Sequence, residues 1–339
     1  MWLHWAPAAW RGPVPFEIGL FFFLTLTGFL ITRILLHERT AAEGRGGKWR
    51  TKAYLHFQKR RLGRILVPCY VAMLFAILVG APDIRAHWPA YFGHWSNFHM
   101  AFLDRWPSGT AHYWTLAVQM QFYLLWPPVV FLVPGKWLAA VFVAFVAVAP
   151  ASRIILEQWF PWIPHEQAMT PLAMDYFGTG ALLALALDRG MKAGDKRLNR
   201  AAWVAFTGYA VLYLSREMGQ PIQALGFIQQ TLVSVVFAGL ISATLAGFGG
   251  VRERVLEHPA VQHFARLSFG LYLFHTPVPL LLGLVLPQLW DPFFSGPWQA
   301  LRLAVFFLTS WGLAHLCRRY LETRNAHPSR HVISGSPGR

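Results

Sequence analysis

The sequence predicts an all-α integral membrane protein, a polytopic helical bundle with nine visible spans. Of its 339 residues 55% are hydrophobic and only 13% are charged, whereas soluble domains usually carry about 25% charged residues. Apolar segments recur along the chain at about the length of a membrane-crossing helix, roughly 20 residues. The 16 Trp and 27 Phe residues agree with this class, because aromatic side chains gather at membrane interfaces.

The first predicted span covers residues 16–36, FEIGLFFFLTLTGFLITRILL, and contains only two charges, Glu17 and Arg33. Small residues around Gly28 should allow a neighbouring helix to approach closely. Residues 1–15 are too short and too rich in proline to cross a membrane, and no cleavable signal peptide is visible.

Eight further spans follow, and the bundle is expected to occupy residues 1–320, with a short basic tail at 321–339. The two cysteines provide neither a disulfide framework nor metal-ligand spacing, and we expect no metal site. The later spans are predicted at 65–80, 113–133, 137–151, 171–187, 201–215, 224–247, 267–286 and 297–316.

The positive charges indicate the orientation of the bundle. Residues 37–64 carry nine Lys or Arg. If successive spans cross the membrane in opposite directions, this segment and the others on its side carry 23 of the chain's 30 Lys and Arg residues. The positive-inside rule makes this side cytoplasmic, which places the C-terminus inside and the N-terminus outside. The rule also explains the net charge of +15, so a nucleic-acid partner is not needed to account for it. An N-terminus outside suggests that a preceding span is missing.

Three histidines are candidate functional residues. A neutral imidazole can accept a proton from a hydroxyl near pH 7. His4 lies among tryptophans, and its alternative role is that of an interfacial residue. His275 lies within a span, beside Pro277, where an ionisable group is a functional candidate or a buried structural residue. His112 opens the third span.

Polar residues elsewhere suggest ligand contacts. Arg60, Arg61 and Arg64 share a helix face at the inner surface, where they could bind phosphates or anchor the topology on anionic lipid. Amides within a span usually face an interior or a cavity, or they bond to a neighbouring helix. Asp175 could pair with a cation from another span or face outer water. The candidates in the third span are Trp114, Gln119, Gln121 and Tyr123.

Five segments, in order, resemble the membrane acyltransferase 3 family, whose O-acetyltransferases act on bacterial cell-surface glycans. The quoted family motifs are FFVLSGFLIT, F..RR..RI.P, HTWSLSVEEQFY, SYSLYLWHWPV and a closing iE.P. The matching segments are 21–32, 57–68, 112–123, 268–277 and 320–322.

The resemblance implies ten spans and a catalytic histidine at the end of the first. His4 stands 23 residues before Thr27, the family's distance, so the chain is expected to begin inside that first span. The family's first-span Arg is absent, and its Glu pair is Gln119-Met120 here. The chain is also expected to lack the extracytoplasmic hydrolase-like domain of some relatives.

The resemblance therefore implies an O-acyltransferase of the bacterial inner membrane. An acyl group, acetyl by preference, would pass from cytoplasmic acyl-CoA to a sugar hydroxyl of an exported glycan. His4 would be the general base and the three arginines would bind CoA, with no permanently bound cofactor. The remaining candidates would contact substrate: His112, Trp114, Gln119, Gln121, Tyr123, Asp175 and His275. The alternative is a non-catalytic or transport-type membrane protein.

Overall fold

The computed structural model describes residues 1–6, 17–42, 48–287 and 297–322, and in these residues it contains helices and turns but no strands. The predicted tail beyond residue 322 lies outside the described residues. In chain order the helices are α1 (Trp2–Trp5), α2 (Ile18–Ala42), α3 (Trp49–Leu78), α4 (Pro82–Ala86), α5 (Trp88–Phe92), α6 (Ser96–Ala101), α7 (Tyr113–Leu132), α8 (Leu138–Trp159), α9 (Met174–Asp188), α10 (Lys196–Glu217), α11 (Gln229–Ala246), α12 (Val251–Glu257), α13 (Pro259–Phe274), α14 (Pro277–Val285) and α15 (Pro297–Cys317).

Seven helices in the described part of the chain are long and apolar enough to cross a membrane, and the bent pair α13 and α14 makes an eighth candidate. The prediction of an all-α membrane bundle is confirmed. The prediction of nine spans exceeds this count by one, because helix α10 is not among the candidate spans. That helix has 22 residues, but Lys196, Arg197 and Arg200 at its start and Arg216 at its end reduce its apolar length.

Two span boundaries differ from the prediction because charged residues continue the helices. Helix α3 begins at Trp49, so the basic segment forms its first turns, and its 30 residues would extend about 45 Å. That length exceeds the roughly 30 Å of a bilayer core. Helix α8 continues to Trp159, so Arg153, which lies beyond the predicted end of this span at residue 151, is within the helix.

Helix α9 lies at the centre of the bundle and packs against α2, α8 and α11. The crossing with α2 is close because glycine faces backbone there. A Cβ on Gly28 would collide with the backbone of Phe177, and a Cβ on Gly180 would collide with that of Thr25 and Phe29. This contact agrees with the role predicted for the small residues of the first span.

We expect Gly28→Ala to lower the thermal stability of the purified protein, because the added methyl group forces α2 away from α9. Overpacking of this kind usually costs about 1–3 kcal/mol. Gly19→Ala is the control, since Gly19 lies in the same helix and a methyl group added there would meet no other described part of the chain within 4 Å. Equal unfolding temperatures of the two variants would contradict the close crossing.

Candidate active site

A break in the penultimate span forms the centre of the candidate site. Helices α13 and α14 meet at an angle of 68°, with His275 and Thr276 between them. Pro277 has no amide hydrogen and cannot bond to the carbonyl of Leu273, four residues earlier. The break therefore leaves backbone carbonyls that side chains from other helices can bind.

His112 is one of the side chains that satisfy these carbonyls. Its Nε2 lies 3.3 Å from the carbonyl oxygen of Leu273, and its Nδ1 lies 2.6 Å from the hydroxyl of Thr276. Thr276 in turn donates to the carbonyl of Gly109 at 2.8 Å. Both ring nitrogens of His112 are engaged, so this buried residue is better suited to orient its neighbours than to accept a proton from substrate.

The N-terminal helix α1 docks onto the same break. The indole Nε1 of Trp5 donates to the carbonyl of His275 at 2.8 Å, and its ring packs against Phe306 of the last span at 5.9 Å between centroids. Trp5 is buried, whereas the neighbouring His4 is exposed. The anchored tryptophan thus holds His4 at the surface of the site.

Three imidazoles, contributed by separate parts of the chain, come together here. The ring centroids of His4 and His275 are 5.2 Å apart, and those of His112 and His275 are 4.7 Å apart. His275 Nδ1 donates to the carbonyl of Tyr272 at 2.7 Å, which leaves Nε2 as the acceptor nitrogen of the neutral ring. The sequence indicates all three residues as candidates but does not indicate that they meet.

A row of polar side chains connects this histidine cluster to the middle of α7. His112, Thr115, Gln119 and Tyr123 follow one another at helical spacing, so they lie along one face. Thr115 bonds to the hydroxyl of Tyr272, and Gln119 Nε2 donates to the hydroxyl of Tyr123 at 2.7 Å. At 1.5 Å per residue the row extends about 16 Å along the helix.

A cavity of about 180 Å³ lies at the far end of this polar row. Gln119 and Tyr123 line it together with Thr27 of α2, and the basic segment of α3 contributes Arg61 and Arg64. Two guanidinium groups and one carboxylate, that of Glu322, give the cavity a net positive charge. Its lining residues are Phe23, Thr27, Leu30, Ile31, Arg61, Arg64, Ile65, Gln119, Tyr123, Phe269 and Glu322.

Arg60 is placed differently from the other two predicted phosphate ligands. It is exposed and does not contribute to the cavity lining, although it is adjacent to Arg61 in sequence. Arg64 is exposed as well, but it lines the cavity together with the half-buried Arg61. The predicted helix face therefore separates into a pair that lines the cavity and one residue outside its lining.

Gln121 belongs to a separate polar network on another face of α7. Its Nε2 donates at 2.9 Å both to the carbonyl of His94 and to Oδ1 of Asn97. Its Oε1 accepts from the hydroxyl of Thr170. Burial lowers the pKa of His94 to about 4, so this histidine is neutral at pH 7. Gln121 ties two connecting segments to α7 and does not share the cavity with Gln119.

Trp114 likewise faces the connecting segments. Its ring lies 6.4 Å from that of Trp106, which stacks on His165 at 4.3 Å. The half-buried Trp114 is thus outside the cavity, on the side of the bundle where His112 begins the helix.

The carboxylate of Asp175 is hydrogen-bonded within the bundle. Its side chain is fully buried, and Oδ2 accepts from Arg153 at 2.9 Å and from Thr231 at 2.7 Å. Oδ1 accepts from the amide of Tyr176 at 3.0 Å. The carboxylate thus binds a cation from another span, one of the roles that the sequence suggests, and the expectation that Asp175 contacts substrate stays a prediction.

Several site residues carry little signal in the sequence. Tyr272 and Thr276 flank His275 in a segment that contains a candidate, but hydroxyls in apolar surroundings give no separate signal. Residues 320–322 resemble a family motif, which marks Glu322 as a candidate. The sequence does not indicate that Glu322 lines a cavity with the arginines of α3. Thr27 suggests only helix packing, and its hydroxyl accepts from Gln119 at 3.4 Å.

The sequence profile of the family Acyl_transf_3, described as an acyltransferase domain, matches residues 3–316. The chain belongs to this family. The match begins one residue before His4 and includes the histidine cluster and most of the cavity lining, with Glu322 just beyond its end.

Two curated bacterial proteins are similar to this member of the family. Peptidoglycan O-acetyltransferase OatA of Listeria monocytogenes is 25% identical over 345 residues, which cover 90% of this chain and 50% of that protein. Putative peptidoglycan O-acetyltransferase YrhL of Bacillus subtilis is 24% identical over 305 residues, 82% of this chain and 46% of that protein. The chain therefore spans about half the length of these relatives. No solved structure matches it.

Proposed function

We propose that this chain is a membrane O-acyltransferase that moves an acyl group, acetyl by preference, from acyl-CoA to a sugar hydroxyl of a cell-envelope glycan. One observation carries the proposal: a single face of α7 connects the histidine cluster to a cavity containing Arg61 and Arg64. The family match supports acyl transfer, and the names of the two relatives, both peptidoglycan O-acetyltransferases, support an acetyl group and a glycan acceptor. This proposal takes the bacterial inner membrane as the location and the arginine side as cytoplasmic.

The donor would enter from the arginine side. Guanidinium groups bind phosphates through charge-assisted hydrogen bonds, and CoA carries its phosphates at one end. The cavity is too small for the whole of CoA, so it would hold one part of the molecule. The long pantetheine arm could then follow Gln119 and Thr115 toward the histidines.

The acceptor would meet the thioester at the histidine cluster. His4, exposed and adjacent to His275, would take the proton from the sugar hydroxyl as its oxygen attacks the thioester carbonyl. The carbon–oxygen bond forms as the carbon–sulfur bond breaks, and the CoA thiolate leaves toward the cytoplasm. His275 and His112, held by backbone carbonyls, would orient the reacting groups.

The reaction can be tested with purified protein in proteoliposomes, with acetyl-CoA on the arginine side and a peptidoglycan fragment on the other. We expect acceptor-dependent release of CoA thiol and an acetyl ester on the sugar. Transport of the fragment without thioester consumption would instead support the transport-type alternative. Thioester consumption with the acyl-CoA supplied only on the histidine side would contradict the assigned orientation.

We expect Arg64→Ala to raise the KM for acyl-CoA while the protein still inserts, because one phosphate contact is lost. A charge-assisted contact contributes about 1.5–3 kcal/mol. Lys59→Ala, an exposed position on the same helix outside the cavity lining, controls for surface charge. Arg60→Ala should resemble Lys59→Ala if the cavity alone binds the donor. If an active Arg64→Ala enzyme has an unchanged KM for acyl-CoA, the arginines do not bind the donor and instead anchor the topology.

A further inference from the structure

Two histidines and one aspartate converge in the segment that connects α3 to α7. Asp83 lies in the short helix α4, His87 follows at its end, and His99 belongs to α6. His87 Nδ1 and His99 Nε2 each lie 3.2 Å from the same oxygen, Oδ1 of Asp83, and the ring centroids of the two histidines are 4.3 Å apart. The three ligand atoms all lie within 4.8 Å of one another.

This spacing matches the coordination shell of a small divalent ion. Zinc bonds to imidazole nitrogen at about 2.0–2.1 Å and to carboxylate oxygen at about 2.0–2.2 Å. Neighbouring ligand atoms of a tetrahedral site are therefore about 3.3–3.5 Å apart. Both nitrogen–oxygen distances around Asp83 are already close to that value. The two ring nitrogens lie within 4.8 Å of each other, and they would move closer together on binding the ion.

The surroundings of Asp83 favour a bound cation over a neutralising side chain. Arg85, two residues away, directs its Nε to the carbonyl of Ile77 at 2.7 Å and leaves the carboxylate to the two histidines. The other carboxylate oxygen, Oδ2, accepts from the hydroxyl of Tyr91, which is also bonded to Thr110 at 3.0 Å. Such outer hydrogen bonds orient the ligands of most protein metal sites.

The cluster also has an open side. The side chain of His87 is 50% exposed, whereas those of His99 and Asp83 are 16% and 13% exposed. A metal ion could therefore enter from water and keep one or more water ligands. The alternative is a metal-free triad in which Asp83 accepts hydrogen bonds from both histidines, and zinc binding distinguishes the two.

We propose that Asp83, His87 and His99 form a binding site for a divalent transition-metal ion, with zinc as the expected occupant. Imidazole and carboxylate ligands suit zinc, and the Irving–Williams order ranks it above manganese and iron. The expectation of no metal site rests on cysteine spacing alone. Little in the sequence joins these three residues, since His99 is 12 positions beyond His87.

The proposed ion would stabilise the part of the chain that leads to the histidine cluster. Asp83 connects through Tyr91 to Thr110, and the carbonyl of the neighbouring Gly109 accepts from the hydroxyl of Thr276 that contacts His112. This site stands independently of the acyltransferase proposal, because its residues take no part in the proposed transfer.

The test is a zinc titration of the full chain, purified in detergent without a histidine tag and treated with a chelator. Competition with a chromogenic chelator should give one zinc per chain, and zinc should raise the unfolding temperature. X-ray absorption of the zinc-loaded protein should show nitrogen and oxygen ligands, including two imidazoles. Zinc binding by the original chain that does not exceed that of His87→Gln would overturn the proposal in favour of the hydrogen-bonded triad.

The variants separate a ligand from a structural residue. His87→Gln, at a half-exposed position, and Asp83→Asn should each abolish the stoichiometric zinc and the thermal shift. Tyr91→Phe removes only the outer hydrogen bond and should weaken zinc binding by about 10- to 100-fold. His56→Gln, an exposed histidine on the basic part of α3, should bind zinc like the original chain. Equal zinc affinity in His87→Gln and His56→Gln would exclude the site.

Discussion

Replacing His4 with glutamine is expected to reduce the rate of acyl transfer by about 100- to 10,000-fold, the usual effect of removing a general base. Glutamine retains a polar side chain of similar length but cannot accept the hydroxyl proton. The KM for acyl-CoA should change little, since the arginine cavity is at the far end of the polar row. The measurement is the initial rate of CoA thiol release by purified protein with a glycan acceptor.

His315→Gln is the control for this variant, because His315 is exposed on the last span and belongs to neither the cluster nor the cavity. The docking of Trp5 on His275 allows the comparison in the chain as it stands. If His4→Gln keeps most of the activity, His4 is an interfacial residue and His275 becomes the candidate base. If the unaltered chain shows no transfer at all, Gln119→Glu is the informative variant, since the family motif carries glutamate there.

Arg153→Met should lower the free energy of unfolding by about 3–5 kcal/mol, the usual cost of breaking a buried ion pair. The variant leaves the carboxylate of Asp175 fully buried without its counter-charge. Arg153 also donates to the carbonyls of Leu172 and Phe227, so its loss affects three neighbouring segments. The measurement is denaturant or thermal unfolding of the detergent-solubilised protein.

Arg216→Met provides the matched control, because Arg216 is exposed near the end of α10. The double variant Arg153→Met, Asp175→Leu tests the cause, since replacing both charges with apolar side chains is often nearly neutral. It should recover much of the stability lost in Arg153→Met. Equal stability of Arg153→Met and Arg216→Met would show that the pair contributes little to folding.

The class of fold and most of the helices could be predicted from the sequence because long apolar segments and their charged flanks are local properties. Helix α10 forms where a span is predicted at 201–215, although the charges near its ends shorten its apolar stretch. Helix α8 continues beyond the predicted end of its span at residue 151 and includes Arg153. Pro277 is visible in the sequence, but the span at 267–286 is predicted as continuous. The angle of 68° between α13 and α14 depends on packing and could not be predicted.

The candidate site could be predicted as individual residues and not as an arrangement. His4, His112 and His275 are each candidates in the sequence, but their contact depends on three segments separated by more than 100 residues. Helical spacing places His112 and Gln119 on one face of α7 and Gln121 on another, in agreement with the structure. The same reasoning could not distinguish Arg60 from Arg61, because which of two adjacent residues faces a cavity depends on the neighbouring helices.

The break between α13 and α14 has an electrostatic consequence for the proposed base. The carboxyl end of a helix carries a partial negative charge that favours nearby cations, and α13 ends at Phe274, directly before His275. Among the described residues, neither His112 nor His275 contacts a carboxylate. A proton taken from the acceptor would create an imidazolium in this cluster, and the partial negative charge of the helix end would stabilise it. The broken helix could thus supply part of the negative potential that other catalytic histidines receive from an aspartate or glutamate.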